Sequence, residues 1–258
     1  VIFMKKDYDE LETYNHNNDG YNEYGGQVRM TYDDLDRIVS SKVRGSMLWM
    51  VLGLLVTGIT GYMVYTGLVS DNPIAYGILK MYWLFAILEI AVVFGFTALV
   101  YKANSSTLRL MFLAYSFLNG LTFSVLGIVY APGIIVSAFL GTFVLFAVLA
   151  VYGYLTRENL TKFTPILVAG LIAIILVSII NIFLQNSGVD LFISIIGVII
   201  FTIFIAVDVN RIRNNIVAYA VQEDSEILNK IEIVGALNLY LDFVNLFIYI
   251  LRLLGRRR

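Results

Sequence analysis

The residues best placed to do chemistry lie in an unfavourable setting. GALNLYLDFVNLFIYILRLLG, residues 235–255, is apolar for about the length of a membrane span, yet it carries Asn238, Asp242, Asn245, Tyr249 and Arg252 at spacings of 4, 3, 4 and 3. On an α-helix those spacings put all five side chains on one face. Such a stripe must face other helices or a water-filled cavity, and a carboxylate at that depth marks a functional site that needs a partner. The partner expected is Asp208, in IIFTIFIAVDVN near the end of the preceding apolar segment.

Two carboxylates held together away from water cannot both ionise cheaply, so the pair shares a proton and titrates as a unit. Protonated, it bridges two helices; deprotonated, it repels and offers oxygens to a cation. A tight site for a hard cation wants about 6–8 oxygens. Asp208 and Asp242, even with Asn238 and Asn245, fall short, so any cation held there is bound weakly and transiently. The plainer alternative is that each aspartate only caps or hydrogen-bonds a neighbouring helix. Glu89, mid-span in the second apolar segment, either lines a path or hydrogen-bonds Asn119, Asn181 or Tyr115.

The elements that position these residues follow from composition. Of 258 residues, 59% are hydrophobic and 14% charged, against about 45–50% and 25% in soluble domains. The expected fold class is therefore all-α, a polytopic membrane protein. A net charge of −1 gives no nucleic-acid signal. Without cysteine, disulfides and thiolate chemistry are excluded. The single histidine, His16, lies in a polar stretch. Residues 1–30 are rich in Asn, Asp, Tyr and Gly and read as a disordered polar tail. The first 45 residues hold no apolar signal-peptide core, so the first span is expected to direct its own insertion.

Thr31 with Asp34 resembles a capping box, and residues 31–45 read as an interfacial helix. The remainder, 46–258, reads as a seven-helix transmembrane domain. Its apolar stretches fall at about 46–69, 79–101, 107–130, 133–155, 163–185, 189–209 and 233–254, each near the ~20 residues that cross hydrocarbon; six or eight spans also fit, because periodicity does not separate a full span from a re-entrant one. Lys and Arg flank alternate breaks: Arg37, Lys42 and Arg44 before the first span, then Lys102, Arg157 with Lys162, and Arg211, Arg213 and Lys230. That alternation puts the N-terminus in the cytoplasm. Arg256, Arg257 and Arg258 disagree: either the last segment does not fully cross, or the upstream charges dominate. The long connection 210–232 reads as an amphipathic helical extension on the cytoplasmic side, ending near Glu223–Asp224–Ser225. Depth sets one condition. Asp242 lies nine residues beyond Ile233, ~14 Å along a helix axis, so it meets Asp208 only if the last helix begins in the cytoplasmic interface.

ALNLYLDFVNLFIYILRLLG closely resembles the last-helix signature of the Bax inhibitor-1 family, the transmembrane Bax-inhibitor-motif proteins, in a bacterial-type form. ILEIAVVF, GTFVLFAVLAVYG and IAVDVNRI support the resemblance, which covers roughly residues 45–255. It implies seven helices with the C-terminal one central, and a pH-sensitive calcium leak in a bacterial inner (plasma) membrane. It also implies that Asp208 and Asp242 form a proton-sensitive latch, assisted by a basic residue near the inner end of the second helix. That region here reads FTALVYKANSS, with Lys102 the nearest cation and no arginine cluster, and Val207 stands where the family often has Tyr.

The implied partners are membrane lipid, calcium ions and protons, with no cofactor and no nucleic acid. Some family members are described as modulators of a membrane protease or of a stress or cell-death pathway, so an interaction-only role with a membrane-protein partner stays open. Paired aspartates also describe intramembrane aspartyl proteases. The contexts AVDVN and LYLDF and the lack of a PAL stretch argue against that enzyme, and serine chemistry of the rhomboid type lacks its membrane histidine.

Overall fold

The computed structural model describes residues 31–220 and 224–255. The polar tail and the three terminal arginines lie outside the described residues. The described chain is helical, without a strand. Helix α1 is Tyr32–Val69, α2 Pro73–Lys80, α3 Tyr82–Leu99, α4 Ser105–Phe123, α5 Leu126–Val129 and α6 Pro132–Leu155. A 3-10 turn at Leu160–Phe163 leads to α7 Thr164–Leu184, α8 Ser187–Ala220 and α9 Ser225–Gly255. Seven of these segments are long and apolar enough to cross a membrane.

Local chemistry fixes the helix starts. The Thr31 side chain accepts from the Asp34 N–H while the Asp34 carboxylate reaches back to the Thr31 N–H, the reciprocal box that satisfies two free donors. Asn72 and Asn104 cap α2 and α4 by accepting from Ile74 and Thr107 N–H groups. All three prolines, Pro73, Pro132 and Pro165, stand in the first turn of a helix, where a missing N–H costs nothing.

One boundary differs from the sequence reading. Residues 31–45 are not a separate helix: α1 runs through them without a break, because no Gly–Pro or polar turn interrupts the helical pattern. Residues 210–220 extend α8 as the amphipathic pattern predicts, and 225–232 belong to α9. Helix α9 therefore starts eight residues before the Ile233 boundary.

Helix α9 is central. It packs against α8, α1, α6 and α4, and its faces toward them bury Tyr240, Phe243, Leu246 and Leu251. Phe112 and Tyr115 of α4 meet the Tyr240 ring edge-on, and Phe139 and Phe146 of α6 do the same to Phe243. Helix α8 is as deeply covered within its span as α9, so the centre is an antiparallel hairpin rather than one helix. Helices α3 and α7 lie outside it, on α4 and α8 respectively.

Polar straps tie one end of the bundle. Lys42 Nζ lies 2.9 Å from Glu232 Oε2 and also donates to Asn229. The Ser46 hydroxyl donates to the Glu232 carbonyl at 2.8 Å. The Glu226 carboxylate receives the N–H and hydroxyl of Ser105 at the start of α4, where an anion also complements the helix dipole. Arg213 donates to the Tyr154 and Thr156 carbonyls that end α6. The basic residues that alternate along the sequence thus gather at one end.

Candidate functional site

Asp208 of α8 and Asp242 of α9 lie on the two packed central helices, both buried, at 5% and 6% exposure. The charges that act on the Asp242 carboxyl are Asp208 and Arg211. Asp242 Oδ2 is shut from solvent and receives no hydrogen bond. Arg211 Nη1 lies 3.0 Å from Asp208 Oδ1, off the line of an N–H, so that contact is an ion pair rather than a hydrogen bond. The other arm of Arg211 donates to the Thr164 hydroxyl at 2.9 Å. One guanidinium thus joins Asp208 to the first turn of α7.

Arg211 corrects the expected basic partner. Lys102 is exposed in the turn after α3 and is not the cation on Asp208. The physical reason is local: residues i and i+3 share a helix face, and IAVDVNRI places Arg211 three residues after Asp208. The i, i+3 spacing is readable in the sequence, although Arg211 also fits the pattern of flanking charges. Replacing Arg211 with Gln should destabilise the protein by between ~1 kcal/mol, the value of an exposed pair, and ~3–5 kcal/mol, the cost of orphaning a buried charge. Lys102→Gln should leave the melting temperature in detergent unchanged.

The rest of the stripe runs along α8. Tyr249 stacks on Phe201 with ring centroids 5.9 Å apart, over Gly197, where a side chain would collide with its ring. Arg252 lies over the Tyr249 ring. Asn238 and Asn245 are half-buried, and Asn245 donates back to the Leu241 carbonyl within its own helix. The structure does not give either asparagine a bond to the aspartates. Among the described residues, no group of three or more His, Asp or Glu side chains is placed to hold a metal ion.

Glu89 belongs to a separate network. Its carboxylate accepts from Asn119 Nδ2 at 3.2 Å and from the Thr122 hydroxyl at 2.7 Å. Asn119 is among the partners the sequence suggests; Thr122, one turn further on, is an additional one. The chain continues inward: the Tyr240 hydroxyl donates to Asn119 Oδ1 at 3.1 Å and lies 2.6 Å from the Thr57 hydroxyl. With Thr57 donating to Tyr240, every donor points toward the Glu89 carboxylate. This network bolts α9 to α1 and α4 on the side away from α8. Tyr240→Phe leaves Asn119 Oδ1 without its donor, and an unsatisfied buried group costs ~1–3 kcal/mol. A lower melting temperature in detergent, with the pH response of any flux kept, is the expected result.

The comparisons with known proteins bear on this arrangement. The family described as "Inhibitor of apoptosis-promoting Bax1" matches residues 39–258. The chain belongs to that Bax inhibitor family. An uncharacterised protein of Borreliella burgdorferi is 36% identical over 220 residues, covering 84% of this chain and 94% of the relative. The inner membrane protein YbhL of Escherichia coli K12 is 34% identical over 211 residues, covering 81% and 89%. An uncharacterised membrane protein of Streptococcus pyogenes serotype M1 is 33% identical over 176 residues, covering 68% and 75%. The family match spans both halves of the aspartate pair and the networks on either side of the central helix.

Proposed function

We propose that this Bax inhibitor family protein is a proton-gated calcium leak of the bacterial inner membrane, with Asp208 and Asp242 as gate and pH sensor. The observation that carries the reading is the pair itself: two buried carboxyls on facing central helices, served by one half-buried guanidinium. Arg211 neutralises one negative charge, so the second carboxyl is comfortable only with a proton. Loss of that proton sets Asp242 against Asp208, and the hairpin either parts or takes up a cation. Calcium is cargo here, touched weakly by two carboxylates, Asp208 and Asp242. Glu89 acts as an anchor between α3 and α4, or as a path-lining group. The inner-membrane location rests on the likeness to YbhL and on the seven apolar helices. The cytoplasmic N-terminus rests on the gathering of basic residues at the strapped end.

The direct test is calcium flux into proteoliposomes of the full chain across a pH series. Flux that changes with pH supports the leak. Absence of flux at every pH would transfer the reading to an interaction-only modulator. No catalytic step is assigned, so a transmembrane reporter protein should stay intact. Cleavage that disappears in Asp242→Ala would move the pair to aspartyl-protease chemistry.

A further inference from the structure

On the side of α9 turned away from α8, a groove of about 440 Å³ runs between α1, the α4–α5 break and α6. Phe243 and Phe247 of the central helix form its floor, while Gly58 and Tyr62 of α1 and Ile135 and Phe139 of α6 form its walls. It follows from the sequence in two ways. Helix α4 stops at Phe123, and the chain turns through Ser124–Val125 before α5. Gly61 lets α1 approach α4 until an added Cβ would lie 3.1 Å from the Gly120 carbonyl, whereas a Cβ at Gly58 would meet nothing within 4 Å. Close contact at one glycine and open space at the other leave a cleft.

Water has no foothold there. A buried water needs 2–4 polar partners, and almost no polar surface faces the groove. The Thr57 hydroxyl is taken by Tyr240, and the Ser124 hydroxyl donates to the Leu121 carbonyl at 2.7 Å. An empty cleft of this size would forfeit the dispersion contacts of its lining. Its rim belongs to the outer surface of spanning helices: Tyr62 is 68%, Val136 57% and Phe139 44% exposed. Hydrocarbon is what a bilayer offers at that surface, and at very high local concentration. The occupant must therefore be apolar, slender and flexible.

We propose that the groove binds an acyl chain of a bilayer phospholipid, which packs on Phe243 and Phe247 and braces the central helix opposite its aspartate face. This goes beyond the proposed leak and holds whether or not calcium passes. Phe243 and Phe247 are only 2% and 7% exposed, so a chain that labels them has entered the groove rather than brushed the surface.

The experiment reconstitutes the full chain in phosphatidylethanolamine–phosphatidylglycerol vesicles containing a phospholipid with a mid-chain diazirine. After irradiation, adducts are mapped by mass spectrometry. Adducts are expected on Phe243, Val244 or Phe247, alongside general labelling of outward residues such as Phe183. Filling the cleft with Gly58→Phe, or with the smaller Gly58→Leu, should lose the groove adducts and keep those on Phe183, which report a folded, inserted protein. Gly141→Phe adds the same bulk at another open glycine outside the groove and should keep both. Adducts confined to Tyr62, Val136, Phe139 and other exposed positions would overturn the proposal, as would groove adducts that survive both Gly58 variants. Labelling of Phe243 and Phe247 by a free diazirine fatty acid but not by the phospholipid would overturn it too.

Discussion

Calcium flux through Asp242→Asn is expected to lose nearly all of its pH dependence, and flux through Asp208→Asn to keep a remnant. A proton coupled to a two-state element by ~1–3 kcal/mol changes its equilibrium about 5–150-fold; that is the pH-dependent part at stake. The two variants differ because Arg211 serves the aspartates unequally. In Asp242→Asn, the Asp208–Arg211 ion pair at 3.0 Å persists, and no carboxyl is left to share a proton. In Asp208→Asn, Arg211 loses its partner, and Asp242 is the other carboxyl within its field. The guanidinium can then swing to Asp242, which still titrates, so a weaker pH response survives. Identical profiles in wild type and both variants would sink the gate. A flat profile in Asp208→Asn with a full response in Asp242→Asn would reverse the roles assigned here.

Much of this arrangement was legible before the structure, for identifiable reasons. Hydrocarbon admits few polar groups, so the polar stripe on a span had to turn inward, and the structure buries Asp242 against α8. The stripe could not reveal the other face of α9, because Tyr240 reads as one more apolar-compatible residue. Its bonds to Asn119 and Thr57 depend on how α1 and α4 cross, which periodicity does not encode. Arg211 is masked differently. It fits the alternation of flanking charges, and that pattern overlies its i, i+3 spacing from Asp208. Helices α1 and α9 begin well before the apolar boundaries at residues 45 and 233, because hydropathy marks apolar stretches and not helix ends, and the Lys42–Glu232 and Glu226–Ser105 straps hold those extensions.

The contact that sets the position of Asp208 lies at neither aspartate. Gly153 of α6 is buried against the backbone of Ala206 on α8, and a Cβ there would stand 2.9 Å from the Ala206 Cα, with the Ala206 carbonyl oxygen closer still. Backbone cannot rotate out of the way as a side chain can. Asn210 fastens the same crossing: its Nδ2 donates to the Gly153 carbonyl at 3.3 Å, and its Oδ1 accepts from Leu160 N–H at 3.0 Å. Gly153→Ala must therefore push α6 and α8 apart or strain them, and overpacking of this kind costs ~1–3 kcal/mol, occasionally more. A clear fall in melting temperature in detergent is expected, while Gly58→Ala, with open space for its methyl, should melt like wild type. Because Ala206 lies two residues before Asp208, the displaced segment carries the gate with it. Gly153→Ala should also shift the pH response of the flux, although residue 153 bears no charge. A Gly153→Ala protein with wild-type melting and a wild-type pH profile would mean that α6 and α8 have room to spare, and that the aspartate pair is held by Arg211 and Thr164 alone.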